Sequence, residues 1–394
     1  MQGYVILAEA LAKQKVEHAY GIVGIPVIET GFSFQSVGIN YYGFRNEQQA
    51  SYAAGYCGYL TGKPGACLCV SGPGHTNAIS GVANAWANNW PMILISGSND
   101  LNQTGRGAFQ EIDQCYLVKP YTKYCVRITK AEDIPYHVHK AVKLSVTGRP
   151  GPVFLDLPGD VLTDTVNNKL EYPIFTPQSL FVPVDSEFRK AVNLMGFSQK
   201  PLVIIGKGAA YGKAEKEARE FIERSKYPFL PTPMGKGVVP DSHPLNISAA
   251  RSTALKEADL IILFGARLNW ILHFGLPPRF NKNVKIIQVD VSPEEMGHNV
   301  EASARLIGDC KETIAAFNKK IKDFKSNIPD WIQKLNEKSE KNKGLNKELM
   351  ASKTIPMSYY SSCGVIKDCL PKNTILIGEG ANTMDIGRTI FEHD

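Results

Sequence analysis

The sequence predicts an α/β protein of doubly wound parallel sheets, arranged as two full units and the beginning of a third. Three observations carry this. Short apolar runs rich in Val, Ile and Leu recur along the chain with helix-length segments between them. Several runs close in a Gly- or Pro-containing turn, the usual exit from a parallel strand. The rhythm breaks once, over 162–185, where Pro173, Pro177 and Pro183 mark a linker. At 394 residues with 43% apolar side chains, the chain has material for two or three cores.

In chain order, residues 2–19 repeat at helical period through Val5, Ile6, Leu7, Leu11 and Val16. A short strand at Ala19-Tyr20-Gly21-Ile22-Val23 runs into Gly24-Ile25-Pro26, and Val27 to Phe34 reads as a helix. Tyr41-Tyr42-Gly43-Phe44 then reads as a buried strand. A small-residue helix follows, with Asn46 as N-cap, Gln49 in the capping-box position and Glu47 in the first turn. An acid there either complements the helix dipole or is a functional side chain at a strand's carboxyl end. Gly65 to Val70 is the next buried strand, ending in Ser71-Gly72-Pro73-Gly74-His75-Thr76-Asn77 before a helix over Ala78 to Trp86. Met92 to Gly97 and Val153 to Pro158 complete the strands of the first unit, about 1–165.

The second unit, about 185–330, has strands at Pro201 to Ile205, Ala258 to Gly265 and Val284 to Asp290, with a charged helix through Arg224. Residues 311–353 are Lys-rich and helical. A third unit, 355–394, should hold a helix to Leu370, a strand over Thr374-Ile375-Leu376-Ile377-Gly378 and the turn Glu379-Gly380-Ala381-Asn382. One strand and one helix cannot bury their own faces, so this unit is expected either to dock on the others or to be a piece of a longer polypeptide.

The net charge of +6 comes largely from the Lys-rich helical region, which argues against a nucleic-acid surface. No apolar run is long enough to span a bilayer, and no secretory leader or C-terminal address is recognisable. The eight cysteines form neither a CxxC pair nor a zinc-spaced cluster, so reduced, buried thiols and no metal site are expected.

Four stretches are candidates for chemistry. Ser71-Gly72-Pro73-Gly74 is either ordinary turn chemistry or a close backbone approach to a flat ring, with Asn77 as a polar contact. Phe109-Gln110-Glu111, beside Thr104-Gly105-Arg106-Gly107, lines a pocket or faces water. Gly206-Lys207-Gly208 resembles a phosphate-binding turn without being a Walker motif or a full GxGxxG. Arg251, Arg267 and Asp290 follow it and fit either an adenosine phosphate or surface ion pairing.

Taken together and in order, these motifs resemble the thiamine-diphosphate decarboxylase/lyase superfamily. The likeness rests on Gly21-Ile22-Val23-Gly24-Ile25-Pro26, Phe44-Arg45-Asn46-Glu47-Gln48, Ser71-Gly72-Pro73-Gly74 and Phe109-Gln110-Glu111. The stretches Phe229 to Asp241, Phe264 to Gly275 and Glu379 to Arg388 narrow it to the 2-hydroxyacyl-CoA lyases. Oxalyl-CoA decarboxylase is the neighbouring alternative, with a Tyr-Glu pair where this chain has Phe109-Gln110.

The resemblance implies a pyrimidine-binding domain, a central domain holding the ADP part of CoA or of an activating ADP, and the N-terminal part of a pyrophosphate-binding domain. It implies thiamine diphosphate and Mg2+, with the metal ligands expected in a C-terminal region that does not follow Asp394. It implies Glu47 and Gln110 as catalytic groups, Glu47 bonding the aminopyrimidine, with an apolar surround from Ile25, Tyr42 and Phe44. Pro73, Asn77, Glu379, Gly380, Ala381 and Asn382 would touch the cofactor. Arg149, Lys207, Arg251, Arg267 and Asp290 would hold the nucleotide part of CoA. The implied reaction splits a 2-hydroxyacyl-CoA into an aldehyde one carbon shorter and formyl-CoA. A homodimer or homotetramer and a peroxisomal address in a eukaryotic full-length form, otherwise a cytoplasmic one, are further expectations of the same resemblance; the rival, non-enzymatic reading is a truncated, inactive form that binds nucleotide or pairs with a full-length subunit.

Overall fold

The computed structural model describes residues 1–177 and 180–394, which form two compact units, Met1–Ser179 and Leu180–Asp394. Gln178 and Ser179, inside the stretch read as a linker, lie outside the described residues.

The first unit is a six-stranded, all-parallel sheet. Its strands are β1 (His18–Gly21), β2 (Asn40–Gly43), β3 (Gly65–Cys69), β4 (Met92–Ser98), β5 (Cys125–Arg127) and β6 (Pro152–Pro158), in the order β2-β1-β3-β4-β6-β5. Every residue of β3, β4 and β6 is buried, as continuous apolar runs in a doubly covered sheet require. The Gly3–Lys13 and Ile134–Val146 helices cover one face through Ile6, Leu7, Leu11, Ile134 and Val138. The Glu47–Thr61 and Pro73–Asn88 helices pack on each other so closely that Gly81 has no room for a Cβ against Ser51.

Two expectations are corrected here. β2 is an edge strand, not a buried one: Tyr42 is 45% exposed and is covered on one side by Tyr20, ring centroids 5.2 Å apart. Its aromatic residues carry strand propensity, but a strand with one neighbour has only one side to bury. The first half of the linker stretch also belongs to this unit, because Leu170, Tyr172 and Phe175 pack against its core.

The second unit is a five-stranded parallel sheet of β7 (Pro201–Ile205), β8 (Phe229–Pro231), β9 (Leu260–Phe264), β10 (Lys285–Asp290) and β11 (Ala304–Ile307), ordered β11-β10-β9-β7-β8. Its core includes an aromatic stack in which Phe221 lies 4.9 Å from Phe264 and 5.1 Å from Phe317. The Pro329–Ala351 helix closes this core with Trp331, whose Nε1 donates to Pro201 O at 2.9 Å.

The 355–394 segment belongs to this unit, with helices at Tyr359–Cys369 and Ala381–Ile390. It is pinned there by Asp241. Oδ2 of that residue lies 2.5 Å from Lys236 Nζ and accepts from His393 N at 3.0 Å, while Lys236 Nζ donates to Arg388 O. The strand expected over 374–378 does not form. Among the described residues it has no pairing partner, and Ile375 and Ile377 stand 87% and 80% exposed. A β-prone run becomes a strand only when another strand accepts its hydrogen bonds.

Candidate active site

The carboxyl ends of β1, β2 and β3 lie side by side at one rim of the first sheet, which brings together residues far apart in sequence. Glu47 opens the helix after β2. Asn46 caps it, its side chain accepting from Gln48 N at 2.8 Å, and Gln49 closes no capping box. Glu47 Oε2 accepts from Asn77 Nδ2 at 3.1 Å, so the first turn of one helix is tied to the second turn of the next. The Pro73–Asn88 helix starts earlier than its apolar periodicity indicated, and Pro73 is its first residue.

Gly72 makes the turn before it. Its φ of 60° lies in the left-handed region, and a Cβ would stand 2.8 Å from Gln110 O and 2.9 Å from Gln110 Cβ. A side chain at Gly74 would come within 3.4 Å of Glu47 Oε1. The two glycines thus let this turn pack closely against Gln110 on one side and against Val70 and Glu47 on the other.

Gln110 has a φ of 55°, rare for a non-glycine residue, and Ser71 Oγ donates to its Oε1 at 3.4 Å. Glu111 does not face the turn. It folds back on its own loop and takes the backbone N–H groups of Gly105, Gly107 and Ala108, which hold its carboxyl below the usual range.

Two residues of this rim carried no clear sequence signal. Gln114, 2% exposed, accepts from Gly72 N at 3.2 Å and donates to Gly97 O and Asp156 Oδ1, bolting the turn to the sheet. Burial raises the Asp156 carboxyl, with Arg127 Nε 3.7 Å away as its charged neighbour. His75 is fully buried, and its Nδ1 lies 2.9 Å from Ser96 Oγ. Burial pushes its imidazole down to about 4. The apolar surround expected of Ile25 and Tyr42 is not closed over Glu47, since Ile25 is 75% exposed and Tyr42 turns to Tyr20.

In the second unit Lys207, Arg267 and Asp290 sit at or just beyond the carboxyl ends of the neighbouring strands β7, β9 and β10, as the sequence suggested. Arg251 is drawn to a different partner set. Its Nη2 donates to Ile271 O at 2.5 Å and its Nη1 lies 3.5 Å from His273 Nε2. Burial and the nearby Arg388 and Arg279 lower its pKa, and Asp385 is the acid that opposes them. His273 is lowered too, by burial and then by Arg251 and Arg279. His273 and Phe274, at φ 49° and 56°, make the strained turn that delivers this imidazole.

Arg149 belongs to the first unit. Glu379, Gly380, Ala381 and Asn382 are exposed in the second, where Gly380, at φ 82°, precedes the Ala381–Ile390 helix. Among the described residues no group of three or more His, Cys, Asp or Glu is placed to hold a metal, and no helix is long and apolar enough to cross a membrane.

The first unit thus sets a carboxylate at a helix start over a glycine turn at a parallel sheet rim. Residues 1–117 match the family model of the thiamine pyrophosphate enzyme N-terminal TPP binding domain, and residues 188–317 that of the central domain. The chain is 46% identical to 2-hydroxyacyl-CoA lyase 1 of Mus musculus, across its full length and 68% of the relative's, and 45% identical to that of Homo sapiens, across 69% of its length. It is 38% identical to oxalyl-CoA decarboxylase of Escherichia coli, with 99% of this chain and 71% of that one covered. The chain belongs to the 2-hydroxyacyl-CoA lyase family of thiamine-diphosphate-dependent enzymes.

Proposed function

We propose that the protein is a carbon–carbon lyase that splits a 2-hydroxyacyl-CoA into formyl-CoA and an aldehyde one carbon shorter. The observation that carries this reading is the placement of Glu47, with Oε2 held by Asn77 and Oε1 facing the Gly72–Gly74 turn. The residues present fit the aminopyrimidine end of thiamine diphosphate: a bare turn, a carboxylate and a side-chain amide. When bound, that cofactor supplies the electron sink for C–C cleavage. Glu47 would hold a ring nitrogen and its proton, with Pro73 and Asn77 fixing the ring and Gln110 facing the reacting atoms. Glu379 to Asn382 would meet the cofactor from the third stretch, the start of a pyrophosphate-binding domain, and Mg2+ would accompany the diphosphate.

The CoA end belongs to the second unit in this reading. Lys207, Arg267 and Asp290 suit the ADP part of CoA, or a separate ADP, and Arg149 suits the same nucleotide by its family position. Arg251, Arg279, Arg388 and His273 form a cation-rich cluster around one half-buried guanidinium. Such a cluster is relieved by an anion, and the phosphates of CoA supply one.

At least a dimer is part of the proposal. Tyr52, Tyr56 and Leu60, four residues apart on the Glu47–Thr61 helix, are exposed along one stripe, and Ile25 and Phe109 stand exposed in the loops at the same rim. A eukaryotic form would work in the peroxisome.

The test is aldehyde release from a 2-hydroxyacyl-CoA in the presence of thiamine diphosphate and Mg2+, beside calorimetric binding of the cofactor. Glu47→Gln should lower turnover by about 10²–10⁴-fold with an unchanged melting profile. Near-normal turnover in that variant would sink the assignment. Carbon dioxide from oxalyl-CoA, without aldehyde from the hydroxyacyl substrate, would transfer the chain to the decarboxylase reading. Cofactor binding without turnover of either substrate would favour the non-catalytic one.

A further inference from the structure

Behind the Gly72 turn a buried line of polar groups crosses three strands of the first sheet. Asp156, on β6, is in register with Arg127 of β5 on one side and with Ser96 of β4 on the other. It is 3% exposed, and Gln114, which it meets at the start of the Gln114–Val118 helix, is 2% exposed. Arg127 Nε stands 3.7 Å from Asp156 Oδ2, beyond hydrogen-bond length but within reach of an ion pair, and Arg127 Nη2 donates to Asn99 O at 3.0 Å. The other carboxylate oxygen, Oδ1, accepts from Gln114 Nε2 at 3.0 Å. Gln114 Nε2 also donates to Gly97 O at 3.1 Å, and Gln114 Oε1 accepts from Gly72 N at 3.2 Å.

Only one orientation of the Gln114 amide makes all three bonds. Two acceptors, Gly97 O and Asp156 Oδ1, lie on its sheet side, and one donor, the Gly72 N–H, lies on its turn side. Burial and then Asp113 raise the Asp156 carboxyl, while Ser98, Arg127 and Gln114 act against them and favour the ionised form, which can only accept. Granted the reading of the Gly72–Gly74 turn as the cofactor's ring site, we propose that Asp156 is a positioning residue for that turn, acting through Gln114: its carboxylate holds the amide with the oxygen toward Gly72.

The effect reaches past Gly72. A Cβ there would stand 2.8 Å from Gln110 O, and Ser71 Oγ donates to Gln110 Oε1. Slack at Gly72 therefore loosens the seat of Gln110 as well. In Asp156→Asn the new amide must turn its NH2 group either to Arg127, a cation, or to the Gln114 NH2 group, another donor. Arg127 favours the second, so two donors meet and Gln114 is pushed away from Gly72.

The experiment titrates the unmutated protein, Asp156→Asn, Gln114→Leu and the double variants Asp156→Asn/Gln114→Leu and Asp156→Asn/Arg127→Met with thiamine diphosphate and Mg2+ by calorimetry. Amide hydrogen exchange is followed by NMR in the same proteins without cofactor. Asp156→Asn, which keeps the size of the side chain, should weaken cofactor binding by about tenfold. It should also speed exchange at the Gly72 amide and leave Leu94, in the middle of β4, unchanged. Gln114→Leu should weaken binding as much, and Asp156→Asn added to it should cost nothing further. Arg127→Met should recover most of the loss in Asp156→Asn, because without the cation the new amide can turn its oxygen to Gln114. A purely structural role lowers the melting temperature and leaves cofactor affinity and Gly72 exchange unchanged, and that result overturns the proposal. Additive losses in the Asp156–Gln114 pair, or no recovery with Arg127→Met, overturn it too. If the unmutated protein binds no thiamine diphosphate, the ring-site reading fails, and exchange at Gly72 alone decides whether Asp156 sets the turn.

Discussion

The two parallel sheets present chemically opposite rims. In the first unit the loops beyond β2, β3 and β4 are tied to one another by side-chain bonds, Asn77 to Glu47, Ser71 to Gln110 and Gly72 to Gln114, around the Gly72-Pro73-Gly74 turn. In the second unit Arg251 is backed by two further arginines and a histidine, with Asp385 as the opposing acid. The first arrangement suits a neutral, flat ring that must be oriented. The second suits an anion that must be attracted. One architecture thus carries two recognition chemistries, because the sheet only decides where loops meet and the loop residues decide what they bind.

If the two rims rest on separate cores, damage to one should leave the other standing. Phe221→Ala removes the centre of the aromatic stack and should cost the second unit about 3–5 kcal/mol. Calorimetry should then show an early transition for that unit and an unmoved one for the first. A single transition that shifts as a whole would break the comparison.

Acid should separate the units as well. The buried His75 lies at about 4 in the folded state, below the ordinary histidine value. The unfolded chain therefore takes up the proton first as pH falls. The contribution of His75 is fully present above about pH 6.5 and is lost on the way down to about 4, a swing of about 3 kcal/mol. Urea unfolding at pH 7 and pH 4.5 should show this loss in the first unit, and His75→Phe should flatten it.

Gly72→Ala should next cost about 2 kcal/mol, from a side chain forced into the left-handed region and against Gln110. Thiamine diphosphate binding should fall while CoA binding holds. Arg251→Met should do the reverse, weakening CoA by about tenfold to a hundredfold and leaving the cofactor titration unchanged. If each variant damages both ligands equally, the division of labour between the rims is wrong.

Much of this was legible in the chain itself. Continuous apolar runs such as Ala66-Cys67-Leu68-Cys69 could only be strands covered on both faces, and all four residues are fully buried. Glu47 was placed by its N-cap neighbour, and the Gly72 turn by its glycines and proline. Those signals are local: a cap, a turn or a buried strand is specified within a few residues. Other features depend on what the fold brings alongside. Tyr41 to Phe44 read as a buried strand and Thr374 to Gly378 as a strand, yet one became a sheet edge and the other found no partner among the described residues. Gln114 and Arg279 gave no pattern, because their meaning lies in neighbours the fold supplies: Gly72 for Gln114, 42 residues away, and Arg251 for Arg279. The sequence by itself determined the inner strands of both sheets, their order along the chain and the family. Tertiary structure alone decided which rim residues meet, because pairing, burial and charge crowding are properties of distance in space, and propensity in a short window does not contain them.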